Sequence, residues 1–376
     1  MTALSITVAR LLPSGHCRAK NEVRARTSEI SASQIMFQKR RTTLEDVARI
    51  ANVSAVTVSR ALRRPDMVSA ELRKRIDAAV ERLAYVPNFA ASRLASARTH
   101  AIGVVVSSLS NGIFADYLQA IYNSLLPLGF RPVVVSSRYS AEEEEAAIKA
   151  LLGQNVEALI LVGVNQTRAA RRVLARARIP VVQTFELTDD PINLNVGLSQ
   201  RKGGYAATRF LLDLGHRRIA YLSGQRDDRA RARLEGYRAA LAEACLDCSS
   251  LVASLPAQAT ISLGRKLTLD MLAAEVPDAI FCCDDNIALG ALFACEQTQL
   301  DVPGRISLIG FNDLEFAAAC NPPLSTVLTP RADMGRVASE LVLRAIATGK
   351  RPASRQIDLG FEIVARGSTG PRIVEP

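Results

Sequence analysis

The sequence predicts an α/β protein in which an N-terminal all-α helix-turn-helix headpiece precedes a two-lobed, doubly wound core. Three observations predict it. Residues 43–83 carry three short apolar periods at helical spacing, each opened by a Thr or Ser that can cap a helix. From residue 101 onward, short apolar runs of strand length alternate with amphipathic helical stretches, as in a parallel sheet covered on both faces. That alternation occurs twice, which implies two similar halves with a cleft at the carboxyl ends of their strands. The chain has 376 residues, 48% hydrophobic and 22% charged, enough for two or three domains with a full core.

In the headpiece, Thr43 caps the first helix and Asp46 completes a capping box. Leu44, Val47, Ala48 and Ala51 share one face, and the small Ala48 and Ala51 let a second helix cross closely. Asn52 and Val53 form the break. Ser54 caps the second helix, with Val58, Ala61 and Leu62 turned inward and Ala55, Val56, Thr57, Ser59 and Arg60 outward. A second helix of this kind fits a DNA major groove. Arg60 offers a donor fork for guanine or a phosphate, and Ala55 and Val56 offer apolar contact for a thymine methyl. A third helix spans 69–83, with Ser69 as cap and Leu72, Ile76, Ala79, Val80 and Leu83 as its apolar face.

The core begins with a strand at 101–106, then a helix at 114–128, a strand at 130–136 and a helix at 141–152. Glu142 to Glu145 fall in the first turn of that helix and read as a solvated face favoured by its dipole, not as a catalytic carboxylate pair. A strand at 158–162, a helix at 168–176 and a strand at 179–183 follow. The second half reads as helix 202–214 ended by Gly215, strand 218–223, helix 229–244, strand 251–254, helix 262–272, strand 279–283, helix 285–297 and strand 306–311. A loop at 322–330 crosses back, and a helix at 334–348 with the tail through Gly367 completes both halves.

The formal net charge of +10, much of it before residue 100, favours phosphate backbones or anionic surfaces. Residues 1–38 form a basic tail in which Arg10, Arg18, Lys20, Arg24 and Arg26 lie among Ser and Thr. It is readable as an auxiliary phosphate-binding arm, as a disordered and idle tail, or as a leader upstream of a true start at Met36. No apolar run is long enough for a membrane span, and no secretory signal is recognisable. The 7 cysteines suit a reduced cytosolic chain; Cys245 and Cys248 have knuckle spacing without a second pair, so neither metal nor cofactor is expected. The three histidines, His16, His100 and His216, have no nucleophile–His–acid partners, and no phosphate loop is present, so no enzyme is expected.

Thr43-Leu44, Asp46-Val47-Ala48, Val53-Ser54, Thr57-Val58-Ser59-Arg60, Val68-Ser69, Tyr85-Val86-Pro87-Asn88 and Leu94-Ala95 stand in order at the spacing of a known headpiece. The run resembles that of the LacI/GalR family of bacterial transcription regulators. Ile102-Gly103-Val104, the run 214–220, Arg233-Leu234-Glu235-Gly236-Tyr237, Asp285, the run 288–291, Ile309-Gly310-Phe311 and the run 324–327 resemble the periplasmic-binding-protein-like core of the same family. The resemblance covers 42 to about 368. It implies a basic tail at 1–38, a headpiece with hinge helix at 39–98 and an effector-binding, dimerising core at 99–370. Lobe 1 is expected at about 99–198 and 330–352, and lobe 2 at about 199–329 and 353–370.

The resemblance implies a dimeric cytoplasmic repressor on double-stranded operator DNA, contacted through Thr43, Leu44, Ser54, Ala55, Val56, Thr57, Ser59, Arg60, Ser69, Tyr85, Asn88 and Leu94. Leu94 would wedge into the minor groove from a hinge helix that is too short to persist in water; by composition alone it is equally a linker residue packing on the core. The effector contacts carried over are Ser107, Phe114, Arg233, Asp284, Asn312 and Arg331, with Asp284 and Asn312 exchanging the amide and carboxylate that many members carry. Read without the family, Arg233 is also a possible surface salt-bridge partner. Two arginines suit a carboxylate. The runs 327–335 and 358–361, with Phe281 to Asn286, resemble the gluconate-repressor branch, so gluconate or a related aldonate is the expected effector and a neutral sugar or purine the alternative. A solute-binding protein for transport is the rival reading of the core.

Overall fold

The computed structural model describes residues 42–86, 98–224, 228–247, 249–350 and 356–373. Asn88 and Leu94, the tail at 1–38 and Cys248 lie outside them. The chain divides into two compact units, Met1–Ala97 and Arg98–Pro376.

In the first unit, α1 (Leu44–Ala51), α2 (Ala55–Arg63) and α3 (Ala70–Arg82) enclose a small core of Val47, Ala48, Ala51, Val58, Ala61, Ile76, Ala79 and Tyr85. Each helix has the cap its sequence predicts. Thr43 Oγ1 accepts from Asp46 N at 3.3 Å, and Asp46 Oδ2 accepts from Thr43 N at 3.0 Å. Ser54 and Ser69 accept from Thr57 N and Leu72 N at 3.2 and 3.4 Å. Such a cap contributes about 1 kcal/mol, which matters in a core this small. Asn52 takes the left-handed conformation at φ 51° and turns the chain from α1 into α2.

The second unit holds two parallel sheets. In the first lobe, β1 (Ala101–Val106), β2 (Arg131–Ser136), β3 (Ala158–Val162), β4 (Val181–Thr184), β5 (Leu194–Gly197) and β11 (Gln356–Asp358) lie in the order β11-β5-β4-β3-β1-β2. Helices α4 (Ala115–Leu125), α5 (Ala141–Gly153) and α6 (Arg168–Arg176) connect its strands. β1 is buried on both faces: Ile102, Val104 and Val106 join one cluster, Ala101 and Val105 the other. Gly103 is required there, because a Cβ would meet Leu159 Cδ2 at 2.6 Å and Leu151 Cδ1 at 2.9 Å.

In the second lobe, β6 (Ile219–Ser223), β7 (Val252–Ser254), β8 (Ala279–Cys282) and β9 (Ser307–Ile309) form the order β7-β6-β8-β9. They are joined through α8 (Asp228–Glu243), α9 (Ile261–Ala274) and α10 (Asp285–Gln297), and α7 (Gln200–Asp213) leads in from the first lobe. Pairs of glycines bring helices into backbone contact: a Cβ on Gly204 or Gly236 would strike α8 or α7, and one on Gly264 or Gly290 would strike α10 or α9.

The crossing region is where the sequence reading needs correction. The 322–330 segment is not only a loop: β10 (Thr326–Leu328) pairs antiparallel with β12 (Glu362–Val364). The strand after the last helix, β11, pairs with β5 in the first lobe, so 353–370 does not belong wholly to lobe 2. Three-residue strands carry too short a pattern to be assigned to a sheet. Helix α12 (Arg331–Thr348) starts at Arg331 and not at residue 334, because Pro330 occupies its N-cap position and the chain is already helical. A short α11 (Glu315–Ala319) also lies within the crossing.

Candidate functional site

On the headpiece, α2 presents Val56, 67% exposed, with Arg60 and Ser54 exposed beside it. Thr57 and Ser59 are half-buried, and Thr57 Oγ1 lies 2.8 Å from Ser54 Oγ. Ser69 is exposed at the start of α3, and Thr43 is half-buried in its capping box. Leu44 and Ala55 pack part of their side chains against the headpiece core and are half-buried like Thr43, Thr57 and Ser59. Tyr85 is placed differently: it is buried within that core. Arg75 on α3 was not anticipated: its guanidinium donates to the carbonyls of Ala51 (2.5 Å) and Asn52 (3.5 Å), tying off the end of α1 next to the turn.

In the second unit, a cavity of about 200 Å³ opens where the strands of the first lobe end. Ser107 follows β1, Ser137 and Tyr139 follow β2, Gly163 to Gln166 follow β3 and Glu186 follows β4. This is the crevice that a doubly wound sheet leaves at its switch point. Glu144 comes from the first turn of α5, and Asp228 and Arg229 close the cavity from the second lobe. A smaller recess shares Tyr139 and Arg229 with it and continues to Arg233, Cys283, Asp284 and Asn312 at the strand ends of the second lobe. At this mouth Asn165 Nδ2 donates across the lobes to Asp228 Oδ2 at 2.5 Å, and in a neighbouring depression Gln258 Nε2 donates to Ser110 Oγ at 3.0 Å.

The cations come from one helix. Gly236 lets α8 nest on α7, and one turn earlier Arg233 lies buried with Nε donating to Gln200 Oε1 at 2.7 Å and Nη1 to the Cys283 carbonyl. Its guanidinium carbon sits 3.8 Å from the centroid of the Phe311 ring. Arg229, four residues before Arg233 and so on the same helical face, stands 5.7 and 5.5 Å from the centroids of Phe114 and Phe185. Phe114 is fully buried and packs edge-on to Phe185, so it supports Arg229 from beneath.

Asp284 Oδ1 accepts from Ile287 N at 3.0 Å as the N-cap of α10. Asn312, at φ 110°, has its amide oxygen buried with no hydrogen-bond partner among the described residues. Burial pushes the Glu186 carboxyl up to about 7, against the backbone N–H groups of Leu187 and Gln200 and the charges of Arg233 and Arg229. Burial also raises Glu144, opposed by the hydrogen bond from Gln166.

Four of the six expected cleft residues, Ser107, Arg233, Asp284 and Asn312, line these two recesses; Phe114 is fully buried behind Arg229 and lines neither, and nor does Arg331. It lines a separate depression with Asp116, Asp313 and Thr329. Its guanidinium pairs with Asp116 at 2.9 Å and donates to the carbonyls of Asn312 and Asp313. Arg331 is thus a strut between α4 and the turn after β9, and Arg229 is the second cation of the cleft. An Arg one turn before Arg233 was the available signal in the sequence. Glu186, an acid directly after an apolar strand of a doubly wound sheet, was another. Glu144 departs from the solvated face expected of its run, since the crevice wall passes over that turn. His216 is buried, its Nε2 lies 3.0 Å from the Gly370 carbonyl, and burial lowers its pKa, favouring the neutral ring.

Comparison with known proteins agrees with this architecture. Residues 43–88 match the family described as bacterial regulatory proteins, lacI family, and residues 208–369 match a periplasmic binding protein-like domain. The HTH-type transcriptional regulator GntR of Pseudomonas aeruginosa is 41% identical over 332 residues, 88% of this chain and 96% of that protein. A LacI-family transcriptional regulator from Silicibacter pomeroyi superposes with a TM-score of 0.82 at 32% identity, over 87% of this chain and 99% of that one. The lac repressor dimer bound to operator and an anti-inducer superposes at 0.75 and 29% identity, over 88% and 100% of the two chains. Among the described residues, no helix is long and apolar enough to cross a membrane. With a capped three-helix headpiece ahead of a two-lobed α/β core, the chain belongs to the LacI family of DNA-binding transcriptional repressors, regulators with a ligand-binding core.

Proposed function

We propose that the protein is a dimeric cytoplasmic repressor whose hold on its operator is set by gluconate or a closely related sugar acid bound between the lobes. The observation that carries the ligand class is the convergence of Arg229 and Arg233 on two adjoining recesses whose walls carry the hydroxyls and amides of Ser107, Ser137, Tyr139, Asn165 and Gln166 beside the acids Glu144, Glu186 and Asp228. Guanidinium forks suit one carboxylate, and the remaining groups suit a chain of hydroxyls. Asn312 offers an unused amide oxygen to a ligand hydroxyl, and Asp284 an acceptor beside it. The likeness to GntR and to the gluconate-repressor branch supports the same class.

On DNA, the exposed residues of α2, with Arg60 and Val56 foremost, read the major groove, and Ser54, Thr57, Ser59, Ser69 and Thr43 border it. Asn88 and Leu94 follow as the hinge contacts. Dimerisation through the core is supported by an apolar depression of about 530 Å³ on the outer face of the second lobe, where Phe293 is 42% exposed beside Leu289, Leu292 and Phe316. The effector acts by binding closed and open lobes unequally, since only a differential affinity shifts the operator-binding state.

Titration calorimetry with gluconate and glucose, followed by footprinting of DNA upstream of the gene with and without the hit, tests this reading. Binding of gluconate but not glucose, with a footprint that changes on its addition, is the expected result. A response only to neutral sugars or purines discards the sugar-acid assignment. No footprint under any condition discards the repressor reading.

A further inference from the structure

We infer that above neutrality the cleft takes up as much as one proton with each anionic ligand it closes on, and that Glu186 carries that proton. The inference rests on the sugar-acid reading above and adds a linkage to it. Glu186 Oε1 is satisfied by the backbone N–H groups of Leu187 at 3.1 Å and Gln200 at 3.3 Å. Its Oε2 is sealed from solvent and has no hydrogen-bond partner among the described residues. A carboxylate oxygen left that way carries the full cost of desolvation, whereas a carboxylic acid loses much less.

The charges facing it do not remove that cost. From α8, Arg233 and Arg229 favour the ionised form, yet burial outweighs them and the group sits near 7. The same cavity holds Asp228 at the start of α8 and Glu144 of α5, both acidic. Helix α7 contributes the uncharged Gln200, while its Arg201 and Lys202 are exposed, and β5 (Leu194, Asn195, Val196, Gly197) carries no ionisable side chain. A ligand carboxylate entering this cavity adds one negative charge beside Glu186 and competes for the same two guanidinium groups. Both effects push Glu186 towards its neutral form. In the ligand-free cleft the group stands at about 7, so from neutrality upward much of it is ionised. Closing on the anion therefore converts the Glu186 carboxylate and one solvent proton into the acid. By linkage, affinity falls as pH rises above neutrality, by up to about tenfold per pH unit.

Two measurements on the full-length protein test this. The first is gluconate calorimetry at about pH 6, 7 and 8 in buffers of different ionisation heat; gluconate itself, an ordinary carboxylate, does not titrate there. The expected result is proton uptake that appears near neutrality, an affinity that weakens with pH, and loss of that pH slope in Glu186→Gln but not in Glu144→Gln. The second is the ligand-free titration of glutamate side-chain carboxyls by carbon NMR, in which one resonance with a midpoint near neutrality disappears in Glu186→Gln. Gluconate binding without proton uptake overturns the inference alone, as does uptake that survives Glu186→Gln or a Glu186 that titrates as an exposed glutamate. No gluconate binding at any pH overturns the sugar-acid reading and the linkage with it.

Discussion

The guanidinium of Arg233 lies over the ring of Phe311, 3.8 Å from its centroid, and this contact fixes the floor of the cleft. The two residues come from α8 and from the end of β9, and neither is near the other in sequence. Phe311 also packs beneath α7, where a Cβ on Gly203 would meet its ring at 2.8 Å. The ring and the Gln200 amide therefore leave the guanidinium one orientation, which is the preorganisation a binding site needs.

Arg233→Lys tests that geometry more sharply than Arg233→Ala. A lysine keeps the charge but has no planar fork to stack on Phe311 while donating to Gln200 and to the Cys283 carbonyl. Gluconate affinity measured by calorimetry is expected to fall at least about tenfold, a loss of about 1.4 kcal/mol or more. A lysine variant that binds like the parent would show that charge alone recognises the ligand.

Arg331 makes the opposite prediction. Its partners are Asp116 and the carbonyls of Asn312 and Asp313, so Arg331→Ala leaves the buried Asn312 carbonyl short of a donor. The expected cost is about 1–3 kcal/mol of core stability in urea unfolding. Gluconate affinity is expected to change less than in Arg233→Lys. Unchanged stability with abolished binding would return Arg331 to the ligand site.

This contrast marks what the sequence could convey. The repeated strand–helix alternation and the three caps at Thr43, Ser54 and Ser69 are local signals, and they foretold the layers and most helix limits. The destination of Arg331 is not local. It depends on how β10, β11 and β12, each three residues long, carry the chain across both lobes, and such strands leave no usable period. Tyr85 lies past the last turn of α3, outside any helical period, and only the assembled three-helix core draws it in.

The Arg60 side chain is exposed on α2 and makes no hydrogen bond or ion pair among the described residues, so Arg60→Ala is expected to leave headpiece stability unchanged. Operator affinity is expected to fall by about 1–3 kcal/mol if the fork reads a base edge. Anisotropy titrations over a salt series separate the two roles. A uniform loss on all sequences with a salt slope reduced by about one would mean a phosphate contact instead. No loss on any DNA would remove Arg60 from the interface.

Asp285 gives the protein a pH dependence that is independent of ligand. The residue is fully buried, its Oδ1 accepts from Thr326 Oγ1 and its Oδ2 from Leu314 N, both at 2.7 Å, and burial pushes it up to about 7 from an ordinary value of 3.8. Because the folded value is raised, the native state holds a proton that the unfolded chain has released. Its contribution to stability is full below about pH 4 and is lost as pH climbs towards 7. Each such proton contributes a slope of at most about 1.4 kcal/mol per pH unit. Glu186 and Glu144 act in the same direction, so the parent is expected to lose stability steadily between about pH 5 and 7. Asp285→Asn keeps the size of the side chain and one acceptor for Leu314 N–H, and cannot ionise. Urea unfolding across that range is expected to show a shallower slope in the variant, with its greatest relative gain at the alkaline end. Parallel slopes in the two proteins would mean that the Asp285 carboxylate is already ionised in the native core and that its two hydrogen bonds, not its proton, hold it there.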